Sequence, residues 1–182
     1  MSISIRLITA DEATTLLPAL SALLVDAVAH GASVNFMAGF SLDQAAAYWT
    51  KQITGLAAHD RLWLVAEEKN QVVGTVMCVF ASQPNQLFRA ELSKMLVHSS
   101  QRKRGIGAAL MQAAETAALA AGKTHLILDT ATGDSGDRLY RRMGWKEFGV
   151  LPASFYEPDG KLADSTIFYK QLAPAPAWIA EN

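Results

Sequence analysis

The residues whose types and spacing suggest chemistry most directly lie in one short stretch of the chain. An apolar run over 95–97 precedes a polar, basic loop over 98–104, and Gly105-Ile106-Gly107 then opens a long Ala-rich segment. If that segment is a helix, its first N–H groups have no partner and carry the positive end of the helix dipole. Glycines leave this backbone accessible, so the stretch predicts a site for a phosphorylated ligand, most simply a pyrophosphate.

Other known phosphate-binding motifs fit this stretch less well. A P-loop requires Gly-x-x-x-x-Gly-Lys-Ser/Thr, which the chain lacks. A dinucleotide-binding turn is suggested by Gly105-Ile106-Gly107 and by Asp129 at the end of the next predicted strand, but Leu110 replaces the third glycine. The loop over 98–104 is also longer than the tight turn of that motif. A glycine-led helix cap beside a solvated basic surface stays open as an alternative.

Composition and charge narrow the class of protein. With 182 residues, 51% of them hydrophobic, the chain has enough apolar material for one sizeable core. A formal net charge of −1 gives no long-range attraction for nucleic acid or for an anionic membrane, so neither is an expected partner. The four histidines lack metal-ligand spacing, and no metal site is predicted.

Several features favour a soluble, cytoplasmic protein. Cys78 is the one cysteine, so it cannot form an internal disulfide. Because it lies in an apolar run, we expect it in the core. The first residues lack the apolar core of a signal peptide. No apolar stretch approaches the ~20 residues that span a bilayer.

Hydrophobic periodicity and helix-capping residues predict a mixed α/β order of elements with a largely antiparallel first half. Thr9 with Glu12 and Ser41 with Gln44 have capping-box spacing. The predicted elements are a strand over 2–8, helices over 9–29 and 41–58, strands over 61–67, 71–81 and 89–97, a helix over 105–121, a strand over 124–130, a helix over 134–143, and strands over 145–150 and 164–172. We expect one domain over 1–172, followed by a Pro/Ala-rich, extended tail over 173–182.

Two motifs together resemble a known family. Arg102-Lys103-Arg104-Gly105-Ile106-Gly107 resembles the Arg/Gln-x-x-Gly-x-Gly/Ala signature of GNAT acetyltransferases, and Leu139-Tyr140-Arg141-Arg142-Met143-Gly144-Trp145 resembles their Leu-Tyr-x-x-x-Gly-Phe ending. Their order, with a buried strand between them, identifies the chain as a member of the GNAT superfamily. The resemblance implies the GNAT α/β fold, with a central, mostly antiparallel sheet flanked by helices, and an N-acetyltransferase that uses acetyl-CoA.

The chain departs from the family pattern at two places. Ser99 stands where the family often has a proline after its fourth strand, and the frequent Asn before the last helix is absent. A narrower resemblance, to tabtoxin-resistance acetyltransferases, is carried by four short segments: Gly31-Ala32-Ser33-Val34, Arg89-Ala90-Glu91-Leu92, Leu128-Asp129-Thr130 and Pro158-Asp159-Gly160. It implies an amino-acid-like toxin or metabolite as acceptor.

The family resemblance also implies which residues hold acetyl-CoA. The pantetheine arm and the thioester carbonyl are assigned to the backbone of Met95, Leu96 and Val97. The pyrophosphate is assigned to Gln101, Arg102, Lys103, Arg104, Gly105, Ile106, Gly107 and Ala108.

Acetyl transfer from a thioester to an amine needs a base, because an alkyl ammonium has a pKa near ~10, and it benefits from an acid at the departing thiolate. Glu91 matches the family's frequent glutamate on the fourth strand and is the first candidate for the base. Asp129 is the second candidate, or an anchor for the substrate ammonium. Tyr140 matches the tyrosine that protonates the CoA sulfur. Each also has a purely structural interpretation, as a satisfied strand carboxylate or as a core aromatic ring.

The expected acceptor is a small primary amine with a nearby carboxylate. Candidate substrate-binding residues are Ser33, Asn35 and Phe36, in the loop between the first two predicted helices, and Arg89 on the strand of Glu91. A peptide acceptor ranks second, and a non-catalytic acetyl-CoA-binding module remains a further alternative. The protein is expected to be a monomer or a homodimer.

Overall fold

The structure is a computed structural model that describes residues 3–177. The helices are α1 (Ala10–Thr15), α2 (Leu17–Ala29), α3 (Leu42–Ala57), α4 (Ile106–Ala120) and α5 (Ser135–Arg142). The strands are β1 (Ser4–Leu7), β2 (Arg61–Glu68), β3 (Gln71–Phe80), β4 (Arg89–Val97), β5 (His125–Ala131), β6 (Lys146–Tyr156) and β7 (Leu162–Gln171).

The seven strands form one sheet in the order β1-β2-β3-β4-β5-β7-β6. Every neighbouring pair is antiparallel except β4 and β5, which are parallel and are joined by the crossover helix α4. The predicted mixed α/β fold with a mostly antiparallel central sheet is therefore confirmed.

The first predicted helix, over 9–29, is wrong in one respect, because the structure divides it at Leu16 into α1 and α2. Pro18 lies in the first turn of α2, where its missing N–H would have no helical partner in any case. In the interior of a continuous helix the same proline would remove a hydrogen bond and clash with the preceding turn.

Both predicted capping boxes are confirmed, at Thr9 with Glu12 and at Ser41 with Gln44.

The sheet has a hydrophobic core on each face. Helices α1, α2 and α3 cover one face, where Trp49 and Trp63 are fully buried with ring centroids 4.8 Å apart. Helices α4 and α5 cover the other face, where Leu110, Leu126 and Phe168 are fully buried. The side chains of β4 and β5 therefore face either the α1–α3 layer or the α4–α5 layer.

Two irregularities of β4 shape the middle of the sheet. Its pairing with β3 shifts register between Thr75 and Met77, and Lys94 has a positive φ of 51°, which together define a β-bulge. Its pairing with β5 covers only Arg89–Glu91 against His125–Ile127. Beyond Glu91 the two parallel strands are not paired, so the sheet opens toward the end of β4 that leads into α4.

The hairpin of β6 and β7 is longer than predicted. Strand β6 continues past the predicted 145–150 to Tyr156, with a register shift between Leu151 and Phe155 around Pro152. A proline is tolerated there because β6 is an edge strand and the shift removes the need for its N–H. After β7 the Leu172 N–H donates to the Thr124 carbonyl at 2.8 Å, and the predicted boundary at 172/173 stays a prediction.

None of the helices within residues 3–177 combines the length and the apolar character needed to cross a membrane.

Candidate active site

The N-terminus of α4 presents unpaired backbone donors at the open end of the sheet. Gly105 caps the helix in a left-handed conformation, φ 81°, and no side chain caps it. The first bond of the helix runs from the Ala109 N–H to the Gly105 carbonyl at 3.0 Å. The N–H groups of Ile106, Gly107 and Ala108 therefore face outward from the helix start, as an anion site requires.

The three basic side chains before Gly105 are placed differently from one another. Arg102 donates to the carbonyls of Val97 at 3.3 Å and of His30 at 3.5 Å. Arg104 forms a two-pronged ion pair with Glu68, at 3.0 and 2.8 Å, and also contacts Gln101. Glu68 partly neutralises the charge of Arg104. Arg104 therefore has less positive charge to offer a phosphate group than Arg102 and Lys103 have.

Ser99, where the family often has a proline, ties this loop to α2. Its N–H and its Oγ both donate to the Asp26 carboxylate, each at 2.7 Å, and a proline could not make the first of these bonds. Burial tends to raise the pKa of Asp26, but the bonds from Ser99 and the nearby His98 and His30 outweigh it and hold that pKa below its ordinary value. The departure from the family pattern thus has a structural role.

Gly107 lies where α4, the end of β4 and α5 approach one another. A Cβ on Gly107 would stand 3.2 Å from Leu139 Cδ2 and 3.7 Å from Met95 Sδ. Leu96 is buried in the α1–α3 core, whereas Met95 and Val97 pack toward the α4–α5 core. The β4 edge that faces β5 has no strand partner here, so the backbone of these residues is available to an extended ligand.

A cleft of about 270 Å³ lies beside the point where β4 and β5 separate. Glu91 and Asp129 line it from these two strands, and Ser165 lines it from β7. Its other lining residues are Ile127, Leu128, Leu151, Ser154 and Ile167. The structure therefore brings the two predicted base candidates together in one small, largely apolar cleft.

The two carboxylates influence each other in this cleft. Burial and, secondly, the charge of Asp129 raise the pKa of Glu91, and Lys94 only partly opposes them. Asp129 accepts a hydrogen bond from Ser165 Oγ at 3.0 Å. Neither carboxylate forms an ion pair with an arginine within residues 3–177, so the structural interpretation of a carboxylate held by arginine is not supported for either one.

Tyr140 lies on α5 and is 6% exposed, between Trp145 and Phe168 with ring centroids 6.2 and 6.0 Å away. Burial, followed by the charges of Asp134 and Asp129, raises the pKa of its hydroxyl. The hydroxyl is therefore protonated at neutral pH, as an acid must be. The ring is at the same time a core residue, and the role of Tyr140 as an acid stays a prediction.

None of the four predicted acceptor residues is among the residues that line the cleft. Phe36 lies in the same loop as Ser33 and Asn35, and its ring stacks on Phe40 at 4.1 Å and meets Tyr48 edge-on at 5.1 Å. This loop is held to the β6–β7 hairpin by a bond from the Ala38 N–H to the Pro158 carbonyl, at 3.0 Å. Arg89 lies at the opposite end of β4 from the bulge and is not a lining residue of the cleft.

Arg89 donates instead to Gln86 Oε1, at 2.9 Å.

The sequence did not indicate two residues at or near the cleft, Lys94 and Ser165. A lysine inside the otherwise apolar end of β4 was a usable signal, whereas the position of Ser165 opposite Asp129 depends on the pairing of β5 with β7. Within residues 3–177, no three metal-ligating side chains come together.

Comparison with known proteins defines the class. The model of the Acetyltransferase (GNAT) family matches residues 29–145, more than half of the chain, and the chain therefore belongs to this family. N-acetyltransferase 8F1 of Rattus norvegicus is 35% identical over 96 residues, which are 52% of this chain and 43% of that protein. The chain thus spans less than half of that relative's length.

Solved structures share the fold over almost the whole chain. One is an acetyltransferase structure from Salmonella typhimurium with its cofactor acetyl-CoA, with a TM-score of 0.76 and 21% identity over 99% of both chains. Another is a phosphinothricin acetyltransferase from Sinorhizobium meliloti in complex with acetyl-CoA, with a TM-score of 0.74 and 19% identity over 94% of this chain and 89% of that one. At these identities the likeness establishes the fold.

The prediction of an acetyltransferase of the GNAT family is confirmed by the family model. Acetyl-CoA is bound in the two solved structures, and its use by this chain belongs to the proposed function. The narrower resemblance to tabtoxin-resistance enzymes is not confirmed by these comparisons.

Proposed function

We propose that this protein transfers an acetyl group from acetyl-CoA directly to the primary amine of a small, amino-acid-like molecule. The observation that carries this proposal is the pair of carboxylates, Glu91 and Asp129, in a cleft of about 270 Å³ beside the separation of β4 and β5. A cleft of this size holds a metabolite-sized molecule.

The open end of the sheet fits acetyl-CoA on two grounds of its own. Unpaired N–H groups at Ile106, Gly107 and Ala108 would hold the pyrophosphate, with charge from Arg102 and Lys103. The missing side chain of Gly107 leaves room beside Met95 and Leu139. The unpaired edge of β4 over 95–97 would bond to the pantetheine arm and to the thioester carbonyl.

The proposed reaction uses three groups of this chain in sequence. Glu91 accepts a proton from the substrate ammonium, and the freed amine attacks the thioester carbonyl carbon. A backbone N–H near Val97 stabilises the negative charge that develops on the carbonyl oxygen. As the carbon–sulfur bond breaks, the Tyr140 hydroxyl gives its proton to the departing thiolate. The nitrogen, which carries an extra proton after the attack, releases it to solvent as the amide forms, and a proton from solvent restores the Tyr140 hydroxyl.

Asp129 has a different part in this proposal, as the anchor of the ammonium. Its hydrogen bond from Ser165 Oγ orients it in the cleft, and its charge raises the pKa of Glu91 toward that of an effective base. A peptide acceptor is the competing possibility, because the sequence of the loop over Ser33, Asn35 and Phe36 does not identify the acceptor.

The deciding experiment measures kcat/KM with acetyl-CoA for a panel of amino-acid-like amines and for Lys-containing peptides, by release of free thiol. We expect the small amines to be preferred by about tenfold or more, a difference of about 1.4 kcal/mol in transition-state binding. A preference of that size for peptides would overturn the small-molecule acceptor and leave the family assignment intact.

A further inference from the structure

Lys94 is a charged residue of β4 for which the proposed mechanism has no use. It occupies the bulge with a φ of 51°, a conformation that non-glycine residues seldom adopt. The bulge interrupts the alternation of β4 and turns Lys94 toward the α1–α3 layer, where the rings of Phe36 and Tyr48 lie. Glu91 and Asp129 act on the same lysine electrostatically.

The Lys94 ammonium packs against aromatic rings and not against a carboxylate. Its Nζ lies 5.5 Å from the centroid of Tyr48 and 6.0 Å from that of Phe36, distances at which an aromatic face attracts a cation weakly. Within residues 3–177, Nζ has no hydrogen bond and no ion pair. A half-buried ammonium is thus left without a direct anionic partner.

The charges around Lys94 also indicate that its ammonium lacks enough negative charge nearby. Burial lowers the pKa of its ammonium, and the charges of Asp129 and Glu91, which raise that pKa, do not make up the difference. A further anion at Nζ would stabilise the charged form, because charge-assisted hydrogen bonds are the strong ones. Opposite charges thus act on one another across two strands, with Glu91 and Lys94 on β4 and Asp129 on β5.

We propose that Lys94 binds the carboxylate of the acceptor, so that the protein selects amines that carry a carboxylate over amines that do not. The inference rests on the proposed small-molecule acetyltransferase activity and specifies its substrate class. An amino-acid-like acceptor meets a partner at each end, with Asp129 and Glu91 at its amine and Lys94 at its carboxylate. A monoamine without a carboxylate provides no anionic partner for the Lys94 ammonium.

The test compares the common L-amino acids with their carboxamides, which keep the amine and lose the negative charge. We expect wild-type protein to prefer the acids in kcat/KM. Lys94→Met, which keeps an apolar stem of similar length, should lose about tenfold or more with the acids and little with the carboxamides, as expected for one charged hydrogen bond. The loss should fall on KM more than on kcat, and Lys94→Arg should keep most of the preference.

Lys123→Met is the matched control. Its ammonium also lies over an aromatic ring, 4.3 Å from the centroid of Phe80, and donates to the Leu87 carbonyl at 2.6 Å, but Lys123 lies just before the start of β5, whereas Asp129 lies toward the end of that strand. This variant should keep the preference for acids. Calorimetric binding of acetyl-CoA to Lys94→Met, with affinity near that of wild type, checks that the bulge is still folded.

The possible failures are distinguishable. If the wild type acetylates acids and carboxamides equally, or if Lys94→Met loses both to the same extent, the role of Lys94 is overturned and the proposed function stands. If the wild type acetylates no small amine of the panel, the proposed function fails and the role of Lys94 fails with it.

Discussion

At the scale of single residues, the proposed chemistry depends on two carboxylates that lie beside the point where β4 and β5 separate. Glu91 and Asp129 lie on adjacent parallel strands, and their like charges, together with burial, raise the pKa of Glu91 above the ordinary value of 4.5. A base with a raised pKa binds a proton more strongly than an ordinary carboxylate does. The pH dependence of the reaction is therefore a direct measure of this pair.

We predict that kcat/KM falls on the acid side as Glu91 becomes protonated, at a pH above 4.5. Asp129→Asn removes the like charge, so the pKa of Glu91 should fall and this acid limb should move to lower pH. Glu91→Gln should lower turnover by about 10²-fold or more, the usual scale for a lost general base. The measurement is a pH–rate profile for each variant with one and the same amine, whose own ionisation is common to all of them.

Tyr140→Phe is the control for that profile. It should lower kcat by about 10²-fold, since the thiolate loses its acid, and it should leave the acid limb in place. An acid limb that stays where it is in Asp129→Asn would show that Glu91 is not the titrating base.

At the scale of elements, the proposed phosphate site depends on α4, whose N-terminus follows the unpaired end of β4 through the loop over 98–105. Gly105 turns the chain with a positive φ, and the Ser99–Asp26 bonds hold the preceding loop to α2. The helix is anchored by Leu110, Met111 and Ala114, which are fully buried against the sheet. Its exposed donors are thus held in a fixed position, which lowers the entropy cost of binding an anion.

Gly107→Val should weaken acetyl-CoA binding by about 2 kcal/mol or more, roughly 30-fold in Kd, because the added side chain occupies the space beside Met95 and Leu139 and strains several charged hydrogen bonds. Isothermal calorimetry measures this loss. Ala120→Val, at the exposed last residue of α4, places the same side chain on the same helix and should bind normally. Equal affinity in both variants would remove the pyrophosphate from this helix start.

At the scale of the whole molecule, the proposed cofactor site lies where two parts of one sheet separate. Strands β1 to β4 are antiparallel neighbours and form one part of the sheet, and β5, β7 and β6 form the other part. The two parts are joined by β4 and β5, which pair only over Arg89–Glu91 and His125–Ile127. A ligand that occupies the opening contacts both sides. Binding should therefore stabilise the sheet as a unit and not only the loop before α4.

We predict that acetyl-CoA at about 100 times its Kd raises the free energy of unfolding by about 2.7 kcal/mol, equivalent to an increase in Tm of about 5–10 °C for a chain of this size. Amide hydrogen exchange should slow in β4 and in β5 alike. Gly107→Val should show a much smaller shift at the same concentration. Protection confined to α4 and its preceding loop would contradict the placement of the ligand between the strands.

The sequence by itself determined the features that depend on neighbours along the chain. Capping boxes at Thr9 and Ser41 predicted two helix starts, and Gly105-Ile106-Gly107 after a basic loop predicted the unpaired helix N-terminus. These succeed because hydrogen bonds three or four residues apart are set by local residue types. The order of elements followed from hydrophobic periodicity and capping residues, and the family followed from two short motifs.

Only the tertiary structure decided how distant segments meet. The bulge at Lys94, the short pairing of β4 with β5 and the ion pair of Arg104 with Glu68 each depend on the register between strands far apart in the chain. Residue type predicts a strand but does not determine its partner or the residue at which pairing stops. For this reason the sequence named Glu91 and Asp129 separately, while the fold alone placed them in one cleft beside Lys94.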